Sequence, residues 1–497
     1  MGLFLQIVTG LLLVFAVLFL RTYLERQQLS RKHGCKSLPS LTGRDPTAFG
    51  LDLVFLFLKS SKRGLENLTL GEQFDALGST FRTQRSIKPI IRTIDPRNIQ
   101  AIFVSDAASY GVGPLRHFSF GPLIGDGVMT LDGVRHQKAR ALIQPTFSKS
   151  HIDEGGPFSV HVENLIKLLP TDGSTVDLQP LFERLDLDSS TEVIFGETVS
   201  SLTSDSLVDP HKFAATFSEV QTTMGARFQM PPFNFLHRDK VFWEGCRTIR
   251  QIVAGLIDQA LLRCDGMGGK DTRSYVLVDN LVRKMQNRAE IRDALMNVFL
   301  PAHDTRAILL SNIFFQLARH PDVWTKLRQR ILEVPELTVD ALKRVDYLQY
   351  VINETLRLTP PVSNMSRIAL KDTVLPSGGG PKGDAPVLVA KGTIMSSAFY
   401  YLHRNQDVYG EDAEHWRPER WENLKLSELT WQFVPFGGGP HVCPGQNLSM
   451  NNVSFTLARL VQIFGRIENR DPVEEFIPVY KLVTESQNGA KVALYPA

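Results

Sequence analysis

Apolar residues recur along most of the chain at helical spacing. The clearest case is Trp243 to Leu262, where Cys246, Ile249, Val253, Leu256, Ile257 and Leu261 line one face. The same pattern predicts helices over Asn98 to Val104, after a turn at Asp95-Pro96, and over His136 to Ile143 and His211 to Thr223. The longest pattern runs from Glu290 to Arg319 and stops before His320-Pro321; shorter helices are expected over Asp322 to Val334 and Val339 to Leu358. Strand-like runs are few: Ile90 to Ile94, Val387 to Ala390, Ile394 to Ser396 and Ala490 to Leu494. Glycine and proline crowd Pro376 to Pro386 and Phe436 to Gly445, so both stretches are expected as shaped loops. The pattern therefore predicts a mainly α fold with small β sheets.

One segment departs from it. Leu3 to Leu20 holds no charged residue and is about as long as a bilayer-spanning helix. Arg21, Arg26, Arg31, Lys32 and Lys36 follow it and no basic residue precedes it, which orients the rest of the chain to the cytosolic side. A cleaved signal peptide would want a basic start and a small-residue cleavage site, and neither is present. Myristoylation of Gly2 would want Ser or Thr where Gln6 stands. The expected organisation is a transmembrane anchor over 1–22, a basic, proline-containing hinge over 23–50, and one large domain over 51–497.

Composition changes this picture little. At 43% hydrophobic and 22% charged residues the chain is ordinary globular protein, with ample material for a large core. A net charge of +3 over 497 residues, with no basic stripe, argues against nucleic acid as a partner. Cys35, Cys246, Cys264 and Cys443 form no C-x-x-C pair and are too few for a disulfide framework.

Cys443 has a distinctive setting, Phe436-Gly437-Gly438-Gly439-Pro440-His441-Val442-Cys443-Pro444-Gly445. Backbone N–H groups in a glycine-rich turn stabilise a thiolate, and glycines let the backbone come close to it. Pro444 suits the first turn of a following helix, whose N-terminus also favours negative charge. Upstream, Glu354 and Arg357 share a helix face at a spacing of three. Pro418-Glu419-Arg420 lies between them and the loop. On the longest helix Asp304-Thr305 pairs an acid with an alcohol, and Pro301 before it removes an N–H that Asn297 C=O would accept.

Together these stretches resemble the motifs of the cytochrome P-450 enzymes. The loop resembles Phe-x-x-Gly-x-Arg-x-Cys-x-Gly, matched at Phe436, Gly439, Cys443 and Gly445, with His441 in place of the arginine. Glu354 and Arg357 match the family's Glu-x-x-Arg pair, and the resemblance implies a buried three-charge lock with Arg420. Leu300 to Ala307 looks like the oxygen-activating segment, with Ala302 where glycine is usual and Asp304 and Thr305 as proton relay. Arg140 matches a propionate-binding arginine, His136 replaces a tryptophan there, and Arg367 stands where relatives place another propionate ligand. With both histidines substituted, weaker or pH-sensitive haem retention is expected. Pro301 is expected to open the helix locally for dioxygen and water.

The resemblance implies the cytochrome P-450 fold and haem b (iron protoporphyrin IX) with Cys443 thiolate as axial ligand. It also implies an endoplasmic reticulum membrane location. Electrons are expected from a separate NADPH–cytochrome P-450 reductase, with cytochrome b5 as a second candidate donor, since no flavin module follows. Ala141 to Phe147 and the haem loop look most like fungal alkane and fatty-acid hydroxylases, implying a lipophilic substrate; polyketide or terpenoid tailoring remains equally open. Tyr110 to Met129, Phe213 to Met224, Met296 to Thr305, Val362 to Met365 and Thr484 to Asn488 are the expected pocket segments. A haem-thiolate isomerase or dehydratase, and a non-catalytic haem-binding protein, are the alternatives; the Asp304-Thr305 pair argues against the first.

Overall fold

Helix α1 (Gly2–His33) is one uninterrupted element. In this computed structural model the described residues are 2–41, 66–85, 88–147, 156–203, 210–229, 239–266, 276–480 and 482–497. The end of the expected hinge, 42–50, and the start of the expected domain, 51–65, lie outside them. The first part of that hinge is helix. Only at Gly34 does α1 end, with φ of +66° and Cys35 N–H donating to Ser30 C=O at 2.9 Å, a left-handed glycine stop. By length and apolarity α1 suffices to cross a bilayer, with mean hydropathy 2.3 in its apolar window.

Helix α2 (Glu66–Leu77) leads into strands β1 (Thr80–Arg85), β2 (Lys88–Thr93) and β3 (Tyr110–Gly111). Helices α3 (Gly113–Ile124), α4 (Gly133–Phe147) and α5 (Pro157–Leu168) come next. Strand β4 (Thr175–Asp177) precedes α6 (Leu178–Phe195), α7 (Pro210–Gln229) and α8 (Lys240–Gly266). The chain continues with α9 (Arg288–Ala302), α10 (Thr305–Arg319), α11 (Pro321–Leu332) and α12 (Asp346–Leu358). Strands β5 (Met365–Ala369), β6 (Thr373–Gly379), β7 (Ala385–Val389) and β8 (Ile394–Ser397) follow. Helix α13 (Gln446–Ile463) precedes β9 (Phe464–Asn469), β10 (Pro478–Tyr480), β11 (Thr484–Ser486) and β12 (Lys491–Pro496). The fold is mainly α with small β sheets.

The chain divides into two compact units, residues 1–111 with 364–398, and residues 112–363 with 399–497. The expected domain over 51–497 therefore spans both. The first unit holds α1 and a five-stranded sheet in the order β1-β2-β8-β5-β3, with β2 and β8 parallel. It also holds the hairpin β6–β7, irregular between Leu375 and Gly379. Much of Pro376 to Pro386, expected as loop, is thus strand, with its glycines and prolines concentrated at the irregularity and the turn.

The second unit is helical around two apolar cores. Phe314 and Leu310 of α10 pack with Val453 and Leu457 of α13 in one. In the other, Ile249, Val253 and Ile257 of α8 pack with Met296 and Phe299 of α9. Two long expected helices are broken. Val339 to Leu358 becomes a short helix (Val339–Lys343) and α12, which restarts with Asp346 in its first turn. Glu290 to Arg319 is split into α9 and α10 at His303 and Asp304.

Candidate active site

The loop before α13 is shaped by glycines that the sequence cannot replace. Gly437 and Gly439 have φ of +70° and +65°. A Cβ on Gly438 would lie 2.5 Å from the ring of Trp431, so the indole packs directly on the loop backbone. Cys443 N–H donates to Phe436 C=O at 3.1 Å, and Val434 N–H donates to His403 Nε2 at 3.0 Å. His403 is fully buried; burial first, then Arg357 and Arg404, push it down to about 3, so it is a neutral acceptor. The half-buried Cys443 thiol is pushed up by burial, while the Gly445 N–H and the Arg140 guanidinium pull the other way. Helix α13 begins at Gln446 with Gly445 as its N-cap, so Pro444 stands just outside the helix and not in its first turn.

Helix α4 supplies the side chains facing this loop. Arg140 Nη1 donates to Val442 C=O at 2.6 Å, one residue from Cys443. His136 is buried, and its ring stacks on His441 at 3.7 Å between centroids and 27° between planes. The two departures from the family pattern therefore meet each other. Asp132 lies 3.8 Å from His441 Nε2 and accepts the Val112 and Gly113 N–H groups, each at 2.8 Å. Arg367 belongs to the other unit, on β5, with its guanidinium 4.6 Å over the Phe103 ring.

Glu354, Arg357 and Arg420 meet in the interior. Glu354 accepts from Arg357 at 2.8 and 2.9 Å, from Arg420 Nε at 3.0 Å and from Trp421 Nε1 at 3.0 Å. Arg357 also donates to the carbonyls of His403, Ala413 and His415, and Arg420 to Asp412. Every lone pair and N–H at the centre has a use, which a buried ion cluster requires. Through His403 this cluster reaches Val434 and so supports the loop of Cys443.

The break between α9 and α10 falls two residues after Pro301. Three carbonyls at the end of α9 bond to side chains: Leu300 with His303 Nδ1 at 2.9 Å, Pro301 with Thr305 Oγ1 at 2.9 Å, and Ala302 with Ser190 Oγ at 3.1 Å. Asp304 Oδ2 accepts from Gln221 Nε2 of α7 at 2.5 Å, while Oδ1 is buried without a hydrogen-bond partner among the described residues. His303 packs against Phe217 and Phe299, which also touch each other, and Arg306 turns into the interior to pair with Asp186. No hydrogen bond links Asp304 or Thr305 to the Cys443 loop among the described residues. Of the expected pocket segments, Thr484 and Ser363 join hydroxyls at 2.9 Å, and Ser363 also bonds Tyr480.

Spacing gave no sign of His403 or Asp412; Gln221 falls within the expected pocket segment Phe213 to Met224 and Trp421 directly follows Arg420, but their partners, Asp304 and Glu354, emerge only from the tertiary fold. The donor chemistry fits a haem. Among the described residues no three His, Cys, Asp or Glu side chains gather to hold a metal ion, so Cys443 suits a metal that brings its other ligands with it. A Cβ on Gly445 would meet no protein atom closer than Phe147 at 3.5 Å, so protein packing alone does not demand glycine beside the thiol.

Residues 49–489 match the family model described as cytochrome P450. The chain is 36% identical over 495 residues to cytochrome P450 monooxygenase himC of Aspergillus japonicus, covering 97% of this chain and 88% of that one. It is 34% identical to cytochrome P450 52A12 of Debaryomyces hansenii, covering 92% and 91%, and 33% identical to cytochrome P450 monooxygenase apdE of Emericella nidulans, covering 94% and 90%. With Cys443 presented as a single thiol on a glycine-shaped loop, the chain belongs to the cytochrome P450 family and is a haem-thiolate monooxygenase.

Proposed function

We propose that this enzyme inserts one oxygen atom from dioxygen into a lipophilic substrate, either a fatty-acid or alkane chain or a polyketide or terpenoid intermediate. Electrons come from a separate NADPH–cytochrome P-450 reductase, and the enzyme works at the cytosolic face of the endoplasmic reticulum membrane. The observation that carries this reading is the Cys443 loop, whose backbone is fixed by Phe436, His403 and Arg140 around one half-buried thiol.

When bound, haem supplies the iron at which dioxygen is activated, with thiolate donation favouring O–O cleavage. Cys443 would hold the haem iron through its thiolate, and Phe436, Gly439 and Gly445 shape the loop that carries it. His136, Arg140 and His441 would be the propionate-side residues of their unit. Asp304 holds and passes a proton: one carboxyl oxygen is fixed by Gln221 and the other carries no protein hydrogen bond among the described residues. Thr305 donates its own proton to Pro301 C=O, which leaves its oxygen free to accept one. Glu354, Arg357 and Arg420 bind no reactant and hold the loop's support in place.

The test is product analysis with enzyme, reductase and NADPH under labelled dioxygen, offering fatty acids, alkanes and extracts of host metabolites. The reading expects one labelled oxygen in the product of a lipophilic substrate. Unlabelled products, or NADPH-independent turnover, would overturn it.

A further inference from the structure

The apolar run of α1 ends at Leu20, yet the helix carries on to His33. In that extension Thr22, Arg26, Gln27, Leu29 and Ser30 are half-buried, while Tyr23, Leu24, Glu25, Gln28, Arg31 and Lys32 are exposed. Thr22, Arg26, Leu29 and Ser30 recur at helical spacing with Gln27 beside them, so one broad face of the extension packs on protein. Its partner is the hairpin β6–β7 of the same unit. The contact is pinned at two levels. Arg26 Nε and Nη2 donate to Asp372 Oδ2 and Oδ1 at 2.8 and 3.1 Å, a bidentate pair, and Asp372 Oδ1 also accepts the Lys391 N–H at 2.6 Å. Past the end of the helix, Lys36 N–H donates to Pro386 C=O at 2.8 Å and Gly380 N–H to Ser37 C=O at 3.0 Å. A Cβ on Gly379 would lie 2.9 Å from the Lys36 carbonyl oxygen, so the two backbones meet there because that residue has no side chain.

These contacts give the hairpin a direction along the helix. Its base, at Asp372 and Lys391, lies beside the part of α1 nearer the apolar run. Its tip, around Gly380 to Asp384, lies beside the chain that leaves the helix. Arg26 is six residues beyond Leu20, a rise of about 9 Å. A bilayer core of about 30 Å within a total of about 40–45 Å leaves a headgroup layer of about 5–7 Å on each side, so Arg26 stands just beyond its outer boundary, within reach of a lysine side chain. Lys371 and Lys391 are exposed at the base, where phosphate groups would meet them.

We propose that α1 and the β6–β7 hairpin form one rigid strut, latched by Arg26 and Asp372, which seats the base of the hairpin against the outer surface of the phospholipid headgroup layer and holds its tip clear. The strut rests on reading α1 as a membrane anchor. It replaces a free tether with a fixed depth and orientation for the unit that carries the hairpin.

The test uses the full-length holoenzyme in phosphatidylcholine–phosphatidylserine vesicles, with a fluorescent amino acid replacing Lys371 or Lys382. Both are exposed lysines of the same hairpin region, so the labels perturb comparably. A quencher carried on lipid headgroups is expected to dim the probe at 371 far more than the probe at 382. Arg26→Asp or Asp372→Arg alone should abolish that difference, and the two together should restore it, with the haem spectrum unchanged throughout as the control for folding. Equal quenching at both positions, or a difference that survives Arg26→Asp, would overturn the strut. Carbonate extraction separates the two levels. Release of the unaltered chain from the vesicles overturns the anchor reading and the strut with it, whereas retention with equal quenching overturns the strut alone.

Discussion

A methyl group on Gly438 would lie 2.5 Å from the Trp431 ring, so Gly438→Ala must displace the indole or the loop that carries Cys443. Overpacking of this kind costs about 1–3 kcal/mol. Thermal unfolding of the variant should show that loss together with a diminished thiolate-type carbon monoxide spectrum, and Trp431→Leu in the same chain should recover both. His403 makes a second prediction. Its folded value is about 3 against 6.5 for the ordinary side chain, so as pH falls from 6.5 the unfolded chain takes up a proton that the folded one refuses. The stability this gives is present above pH 6.5 and is lost progressively towards about pH 3. His403→Gln offers Val434 an oxygen acceptor without the titration. Denaturant unfolding across that window should therefore show a shallower fall, and an unchanged slope would contradict the assignment. Cys443 and its glycines were legible because the loop is local: its turns and its N–H groups come from adjacent residues. His403 was not, because it acts on backbone 31 residues away; Gln221 lay in an expected pocket segment, but its bond to Asp304, 83 residues on, was not legible. His136 and His441 stood out as departures in the sequence, but their stacking on one another required the fold.

The helix break is the feature of the element scale with the most consequence for chemistry. A single periodic pattern from Glu290 to Arg319 reads as one helix because apolar spacing continues through His303 and Asp304. The structure divides it there, since side chains of His303, Thr305 and Ser190 take up carbonyls that a continuous helix would bond to N–H groups. Pattern reasoning sees which residues face a core; it does not see three side-chain bonds competing with the ladder. Pro301→Ala would restore an N–H for Asn297 C=O and remove a penalty of about 3 kcal/mol that proline carries within a helix. The variant should be more stable to heat and should release more peroxide per NADPH consumed. A variant with unchanged coupling and an unchanged haem spectrum would contradict a role for the break. By contrast α8, with one strongly apolar face, was found within a few residues of its observed ends. The same cannot be said of the Pro376 to Pro386 stretch, where glycines that signal loops sit inside a bulged hairpin.

On the scale of the whole molecule, Glu354 ties α12 to the segment running from His403 to Trp421, and that segment in turn holds the loop before α13. Glu354→Gln would leave Arg357 buried with its charge uncompensated and Arg420 with Asp412 alone, and breaking such a buried pair costs about 3–5 kcal/mol. Chemical unfolding should register that loss, while protein that remains folded should keep its haem-thiolate spectrum, since none of the three charges is a haem ligand. The mainly α fold was legible from the apolar pattern, and the family from the motifs and their order. The division into two units was not, because residues 364–398 rejoin residues 1–111 across a long stretch of chain with no change in composition to mark it. Everything argued about oxygen chemistry depends on the thiolate at Cys443. The most direct test is the carbon monoxide spectrum of the reduced holoenzyme, recorded for the unaltered chain and for Cys443→Ser. The account expects the red-shifted Soret band of a thiolate-ligated haem in the first and its loss in the second. A thiolate-type band that persists in Cys443→Ser would contradict it.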